Sequence, residues 1–268
     1  MSWENSVPNL KEKVTRRGVY VLPSLFTSMG LFAGFYSLIA AIQGRYELAA
    51  WAIIAAAVFD MLDGRVARLL HAETAFGAEY DSLCDMLSFG IAPAVLVYLW
   101  VLVELPSDLH KLAWLGAFFL AACAALRLAR FNVQLENQDK RYFQGLPTPA
   151  SALLIVTGVL FHAETNIEPS PWLWFGGSLI LAWLMVSNVR FVSGKDIDLR
   201  KQRKSGFIVG MIIVGGLVMA YPYQIPFAVI LAYVLHGPMV SLWRYCHSGK
   251  GRCKAAKAKE PEAADSQD

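Results

Sequence analysis

Long apolar segments follow one another through most of the chain, and they constrain its fold more than any other feature. Hydrophobic residues make up 56% of the sequence and charged residues only 17%, whereas soluble domains contain about a quarter charged residues. An α-helix needs about 17 to 25 residues to cross a bilayer. Segments of roughly this length lie at 19–42, 48–70, 78–103, 112–133, 147–162, 172–189, 206–221 and 224–243. The sequence therefore predicts an all-α polytopic membrane protein with about eight transmembrane helices. Six or seven crossings remain alternatives, because some of these segments are short.

The basic residues are distributed unevenly over the connections between these segments. With eight crossings, all but two of the 24 Lys and Arg residues fall on one side of the membrane. The two exceptions are Arg45 and Lys111. Because cytoplasmic connections carry an excess of Lys and Arg, both termini are predicted to be cytoplasmic, and the protein is predicted to be a multi-pass protein of the cell (inner) membrane.

Polar segments flank the apolar region at both ends. Residues 1–18 are predicted to be a cytoplasmic juxtamembrane segment. Within it apolar residues recur at helical spacing, at Trp3, Val7, Leu10 and Val14. This spacing favours an amphipathic helix on the membrane surface, and Pro8 leaves a solvated tail as the alternative. Residues 19–243 form the transmembrane domain, and 244–268 form a basic, polar tail that is predicted to be disordered.

Four aspartates lie inside or at the ends of the second and third apolar segments, where an ionised side chain is costly unless it has a function. They are Asp60, Asp63, Asp81 and Asp85. The first two are about 60° apart around a helix and the last two about 40° apart, so each pair shares one helical face. The link between the two segments is short, so the helices are predicted to be antiparallel neighbours with all four carboxylates at one cytoplasmic end.

Four carboxylates this close together need compensating cations. Carboxylate oxygens suit Mg²⁺ or Mn²⁺, and a site without His or Cys ligands does not suit zinc. The alternative is a set of buried ion pairs with arginines on other helices, but that alternative leaves the neighbouring small residues unexplained. Gly64, Ala67 and Gly77 leave room for a ligand, and Arg68 can bind phosphate through two hydrogen bonds. Together these residues predict a site that binds metal and phosphate.

In order, these residues read Asp60-x2-Asp63-Gly64-x2-Ala67-Arg68-x8-Gly77-x3-Asp81-x3-Asp85. The pattern resembles the complete signature of the CDP-alcohol phosphotransferase family. Further segments resemble its bacterial phosphatidylserine synthase branch: Pro23-Ser24-Leu25-Phe26-Thr27, Ser88-Phe89-Gly90-Ile91-Ala92-Pro93, Arg127-Leu128-Ala129-Arg130-Phe131-Asn132 and Phe143-Gln144-Gly145-Leu146-Pro147. The resemblance covers most of residues 18–243, and it is more specific for the family than for the branch.

The resemblance implies a role for each matching position. It implies that two divalent metal ions, Mg²⁺ or Mn²⁺, are held by Asp60, Asp63, Asp81 and Asp85. Of these, Asp81 would bridge the two ions and Asp85 would also act as the general base. Contacts with the CDP-diacylglycerol donor would come from Asp63, Gly64, Arg68, Thr74 and, more weakly, Thr27. The resemblance also implies a CDP-alcohol phosphotransferase-like helical bundle and a homodimer.

The expected reaction transfers the phosphatidyl group from CDP-diacylglycerol to the hydroxyl group of L-serine, and it releases CMP. Arg127, Arg130 and Asn132 are predicted to flank the serine, since its carboxylate needs a guanidinium partner. The alternative is that these arginines anchor the chain to lipid phosphates. Glycerol 3-phosphate, inositol phosphate or choline remain alternative acceptors. A cation- or proton-coupled transporter and a membrane scaffold are the alternatives outside enzymes; neither explains a carboxylate cluster at one cytoplasmic end. Nucleic-acid binding is not expected, because the basic run 200–204 lies between two apolar segments.

Overall fold

The computed structural model describes the backbone of residues 10–70, 74–134, 142–192 and 215–257. It describes the side chains of residues 23–70, 74–133, 145–189 and 215–240. Its main elements are α-helices: α1 (Leu10–Ile42), α2 (Tyr46–Leu69), α3 (Ala75–Asp85), α4 (Ala92–Trp100), α5 (His110–Gln134), α6 (Thr148–Thr165), α7 (Pro171–Val186) and α8 (Gln224–Lys257). A π-helical segment, Met86–Ile91, joins α3 to α4. Residues 215–220 are also helical. Two short strands, β1 (Tyr142–Gln144) and β2 (Arg190–Val192), form one antiparallel pair.

The predicted all-α membrane fold is confirmed. Among the described residues, three helical stretches are long and apolar enough to cross a bilayer: Pro23–Ile42, Ala75–Glu104 and Ser107–Val133. Two shorter apolar helices are Pro171–Val186 and Gln224–Val240. The predicted segment 206–221 lies mostly outside the described residues. The small strand pair was not predicted, because three-residue strands carry too little sequence pattern.

Both ends of the transmembrane region differ from the sequence-based expectation where they are described. Residues 10–18 are continuous with the first membrane segment in one long helix, α1, rather than forming a separate element. Trp3 and Val7 lie outside the described residues. At the other end, α8 continues to Lys257, whereas a disordered tail was predicted from residue 244. Lys and Ala near its end are strong helix formers and allow a helix that has begun to continue.

The helices pack around two cores made mostly of small or aliphatic side chains. Helices α1, α2, α4 and α6 meet around alanines such as Ala49, Ala50 and Ala56, all of which are buried. Small residues let membrane helices approach closely. The second core lies among α4, α5, α6, α7 and α8, and includes Leu146 and Met185. Because α1 and α2 are joined by a tight turn with Gly44 at φ +74°, they run antiparallel and place Thr27 opposite the end of α2.

The π-helical segment packs directly against α1. The hydroxyl of Ser88 donates to the carbonyl oxygen of Gly30, with the two oxygens 3.3 Å apart. A Cβ added at Gly34 would clash with the Ser88 side chain and lie 3.0 Å from its Cα. π-Helical turns are frequent at functional sites. This one begins immediately after Asp85, so its contact with α1 determines where that carboxylate lies.

Candidate active site

Three of the four predicted aspartates meet between α2 and α3. Asp60, Asp63 and Asp81 each place a carboxylate oxygen so that the three oxygens lie within 4.8 Å of one another. Asp63 is only 5% exposed, and its Oδ2 has no hydrogen-bond partner. The neighbours of Asp63 include Thr27 and the backbone of Gly64.

Asp85 completes the cluster from the next turn of α3. Its carboxyl group lies within hydrogen-bonding distance of that of Asp60. Both side chains line a small cavity that is closed on the α1 side by Thr27 and Gly30. Asp85 lies outside the compact group of three oxygens, so the cluster consists of three grouped carboxylates and one beside them.

Hydrogen bonds from neighbouring helices hold α3 in this position. The hydroxyl groups of Ser28 on α1 and Tyr80 on α3 are 3.0 Å apart. On the opposite side, Ser82 of α3 and Asn132 of α5 form a side-chain pair, with Nδ2 donating to Oγ at 3.0 Å. Tyr80 and Ser82 flank Asp81 in sequence, so these bonds hold its carboxylate against the end of α2.

The residues present fit hard divalent cations. Three carboxylate oxygens lie within 4.8 Å of one another, and Asp63, which supplies one of them, is buried and has an unpartnered Oδ2. Such oxygens are the negative ligands that Mg²⁺ or Mn²⁺ prefers. Cys84 also lines the small cavity, but it is not part of the ligand group found among the described residues. Asp63 and Asp81 also line an adjoining cavity, which leaves one side of the cluster open to a phosphate group of a substrate.

A larger cavity of about 260 Å³ adjoins the cluster. It is lined by residues of α1, α2 and α3, including the predicted donor contacts Thr27, Asp63, Gly64 and Thr74. A Cβ added at Gly64 would meet no atom within 4 Å. Glycine is therefore not needed there for packing of the protein itself, and its missing side chain enlarges the cavity. This observation agrees with the room for a ligand that the sequence predicts.

Thr74 and Gly77 form the beginning of α3. The Thr74 side chain accepts a hydrogen bond from the backbone N–H of Gly77 at 3.0 Å, which caps the helix. A Cβ at Gly77 would lie 3.0 Å from the Thr74 hydroxyl oxygen. The spacing of these two residues in the signature therefore has a structural reason, in addition to their position on the cavity.

Arg68 is placed differently from the other predicted donor contacts. Its side chain is exposed, does not line the cavity, and its Nε donates to the carbonyl oxygen of Gly64 at 2.7 Å. A guanidinium on a long side chain can turn from this position towards a phosphate at the cavity mouth.

The three residues that were predicted to flank the serine have different partners in the structure. Arg127 is buried, with 9% of its surface exposed, and its Nη1 donates to the hydroxyl of Thr148 at 2.9 Å. Arg130 instead donates to the carbonyl oxygen of Val186 and to the side chain of Asn188 at the end of α7. Asn132 is paired with Ser82, as described above. Arg127 also lies within electrostatic range of Asp85.

Two residues beside Arg127 were missed by sequence reasoning. Thr148 begins α6, and Tyr233 of α8 lies within electrostatic range of the guanidinium. Thr148 follows directly on the segment Phe143–Pro147, so an extension of that segment by one residue would have included it. No local pattern marks Tyr233, which reaches the site through the packing of α8 on α6.

Comparisons with known proteins agree with this geometry. Residues 20–191 match the family described as CDP-alcohol phosphatidyltransferase. A CDP-diacylglycerol–serine O-phosphatidyltransferase of Helicobacter pylori strain J99 is 34% identical over 224 residues, which cover 82% of this chain and 90% of that protein. One of Mycobacterium leprae is 31% identical over 84% of this chain and 76% of its own length. An archaetidylserine synthase of Methanothermobacter thermautotrophicus is 37% identical over 54% of this chain and 61% of its own length. The chain belongs to the CDP-alcohol phosphatidyltransferase family.

Proposed function

We propose that this protein transfers the phosphatidyl group of CDP-diacylglycerol to the hydroxyl group of L-serine, forming phosphatidylserine and CMP. The observation that carries the proposal is the carboxylate cluster beside a cavity, at the positions that match the family's signature. The relatives named for serine transfer extend over most of the chain, and they favour serine over the other acceptors.

We assign the ligands of two divalent ions, Mg²⁺ or Mn²⁺, to Asp60, Asp63 and Asp81, with Asp85 beside them. When bound, such ions neutralise the donor phosphates and the charge that develops on the leaving CMP. By holding these ions, the carboxylates of this chain would position the donor phosphates beside α2, where Gly64 leaves room for them.

Asp85 is the proposed general base. It accepts the proton of the serine hydroxyl group, whose oxygen forms a bond to the phosphorus that carries the diacylglycerol. The bond from this phosphorus to the CMP oxygen then breaks, and CMP leaves with the bonding electrons. Most of the rate enhancement of such a transfer comes from positioning and electrostatic stabilisation, so no covalent intermediate is required.

In this proposal, the donor's cytidine diphosphate occupies the 260 Å³ cavity, which is called the donor cavity below. Thr27, Gly64 and Thr74 line that cavity, and Arg68 approaches from its rim. The resulting arrangement keeps the charged head group at the helix ends, while the diacylglycerol remains among the apolar helices.

Arg127 is the proposed partner of the serine carboxylate. It is a buried guanidinium that pairs with no carboxylate among the described residues, and its Nε has no hydrogen-bond partner. With Nη1 held by Thr148, the edge formed by Nε and Nη2 is left for a planar carboxylate, which accepts two parallel hydrogen bonds from such an edge. A buried cation without an anion is costly, so an anionic ligand stabilises this arrangement. Arg130 and Asn132 support the site by tying α5 to α7 and α3.

The proposal places the active site at the cytoplasmic face of the inner membrane, with both termini in the cytoplasm. The charge distribution supports this orientation, since Arg45 and Lys111 are the two basic residues on the opposite side. A homodimer is proposed from the family resemblance, and cross-linking in native membranes would test it.

The reaction is tested by following CMP release from CDP-diacylglycerol by the purified protein in detergent. We expect release to require serine and either Mg²⁺ or Mn²⁺, and not to be supported by glycerol 3-phosphate, inositol phosphate or choline. Chelation by EDTA should abolish release, and added metal should restore it. Asp85→Asn should abolish serine-dependent release, because an amide cannot accept the serine proton.

Asp108→Asn is the matched control, because Asp108 is exposed in the connection before α5 and the variant changes charge by the same amount. It should retain full activity. Release with a different acceptor would overturn serine as the substrate. A folded protein that releases CMP with none of these acceptors would overturn the enzymatic function and favour transport.

A further inference from the structure

An apolar groove runs along the outside of α1 and α2, on the membrane side of the carboxylate cluster. Its volume is about 580 Å³. It is lined from α1 by Ser28, Met29, Phe32, Ala33 and Tyr36 and from α2 by Leu48, Trp51, Ala52, Ala55 and Phe59. Apart from the hydroxyl groups of Ser28 and Tyr36 and the indole N–H of Trp51, the lining is apolar, so the groove suits a hydrocarbon ligand.

The groove is formed by differences in side-chain size. Ala33 and Ala52 form its floor and are each 8% exposed, whereas Phe32 and Trp51 form its rim and are 71% and 49% exposed. The Ser28 hydroxyl is already hydrogen-bonded, to the carbonyl oxygen of Ser24 at 2.7 Å and to Tyr80. The polar group at this end of the groove therefore needs no ligand of its own.

The groove begins next to the active site. Ser28 follows Thr27, which lines both the donor cavity and the small cavity around the aspartates. Phe59, at the same end of the groove, precedes Asp60. A lipid whose phosphates lie at the carboxylates can therefore enter the groove with its hydrocarbon part directly.

The length of the groove matches one leaflet of a membrane. From Leu48 to Phe59, α2 rises about 16 Å at about 1.5 Å per residue. Half of the hydrocarbon core of a bilayer is about 15 Å thick. An acyl chain that starts at the cytoplasmic head-group level would end near Leu48.

We propose that this groove binds one acyl chain of the lipid donor during the transfer reaction. This inference rests on the proposed function, which supplies the two-chain donor. Binding in the groove would orient the diacylglycerol so that its phosphorus lies at the carboxylates, and it would make the rate depend on the length of that chain.

The test compares Ala52→Leu and Ala55→Leu with the unchanged protein, using CDP-diacylglycerols that carry hexanoyl or palmitoyl chains. Each larger side chain fills part of the groove. We expect kcat/KM for the palmitoyl donor to fall by about tenfold, which corresponds to the lost contacts of about two methylene groups. Turnover of the hexanoyl donor by Ala52→Leu should stay within about twofold, because a hexanoyl chain does not extend as far along the groove as Ala52. Ala55 lies only about 6 Å from Phe59 along α2, within reach of a hexanoyl chain, so Ala55→Leu should lower the turnover of both donors. Ala232→Leu is the control, since Ala232 is exposed on α8 away from the groove.

Turnover of the hexanoyl donor also shows that each variant is folded. If the unchanged protein turned over neither donor, the proposed function would be overturned, and not only the role of the groove. Equal losses for both donors in Ala52→Leu would overturn the groove as a chain-binding site. If a variant lost activity because it changed from a dimer to a monomer, the groove would be a contact between two copies of the protein. If turnover of neither donor changed, the groove would not bind the donor, and ordinary membrane lipids would occupy it.

Discussion

At the scale of single residues, the missing side chain of Gly64 leaves space for a ligand but is not needed for packing of the protein. We expect Gly64→Ala to raise the free energy of unfolding by up to about 1 kcal/mol, because alanine is the better helix former and its Cβ meets no protein atom. The same methyl group takes space in the donor cavity. Overfilling a site costs about 1–3 kcal/mol, so kcat/KM for the donor should fall by about tenfold or more.

Thermal unfolding and CMP release measure the two effects. Gly176→Ala on α7 is the matched control, since a Cβ there also meets nothing within 4 Å. It should stabilise the protein equally and leave activity unchanged. Full activity of Gly64→Ala would contradict the location of the donor.

Thr148 provides a second prediction at this scale. Its hydroxyl holds Nη1 of Arg127, and a hydrogen bond to a charged group contributes about 1.5–3 kcal/mol. Thr148→Val should therefore raise KM for serine by about tenfold or more while kcat changes little, because the carboxylates that perform the reaction are untouched. Thr157→Val, on the same helix, removes a hydroxyl that bonds only to carbonyl oxygens of its own helix, and should behave like the unchanged protein. Equal KM values for serine in the two variants would argue against Arg127 as the carboxylate partner.

At the scale of secondary-structure elements, the contact between α1 and the π-helical segment determines the position of Asp85, the proposed general base. Gly34 permits this contact, because any side chain there would push against Ser88. We expect Gly34→Ala to displace the segment and, with it, Asp85. The value of kcat should then fall by about tenfold or more, since small displacements of a reacting group are costly.

KM for the donor should change less, because the donor cavity is lined by α2, the beginning of α3 and residues 23–27 of α1, and neither Gly34 nor the π-helical segment lines it. Steady-state kinetics with both substrates would separate these values. Gly177→Ala introduces the same methyl group where no atom lies within 4 Å and serves as the control. A rise in the donor KM without a change in kcat would show that the contact supports the donor instead of the base.

At the scale of the whole molecule, the charge distribution and the structure agree on which residues share an end of the helical bundle. Arg45 lines a cavity of about 840 Å³ together with His162 and Glu168, at the end opposite the aspartates. Arg65 lies on the last turns of α2, beside the carboxylate cluster. The two residues should therefore face opposite sides of the membrane.

Labelling of single cysteines tests this orientation. In a variant without the native cysteines, Arg45→Cys should react in intact cells with a maleimide that cannot cross the membrane. Arg65→Cys should react only after the cells are opened, because the proposed orientation places the carboxylate cluster at the cytoplasmic face. Both positions are exposed and both variants remove an arginine, so they are matched. The reverse pattern would place the active site outside the cell.

The sequence by itself determined the membrane class, the position of most helices and the carboxylate cluster. These features depend on local patterns: the length of apolar segments, and aspartates spaced three or four residues apart on neighbouring helices. Asp60, Asp63 and Asp81 converge as predicted because a short link leaves α2 and α3 no other arrangement. The tight turn between α1 and α2 likewise follows from a short polar interruption with glycine.

Only the tertiary structure decided which of the equivalent basic residues face the site. Arg127 and Arg130 share a helical face in sequence, but α6 buries the first against Thr148 while the end of α7 engages the second. Arg68 belongs to the signature, yet its side chain lies along its own helix. The groove between α1 and α2 also depends on which faces of two helices remain uncovered. Burial and partner choice depend on contacts between residues distant in the chain, and helical periodicity carries no information about which helix will lie opposite.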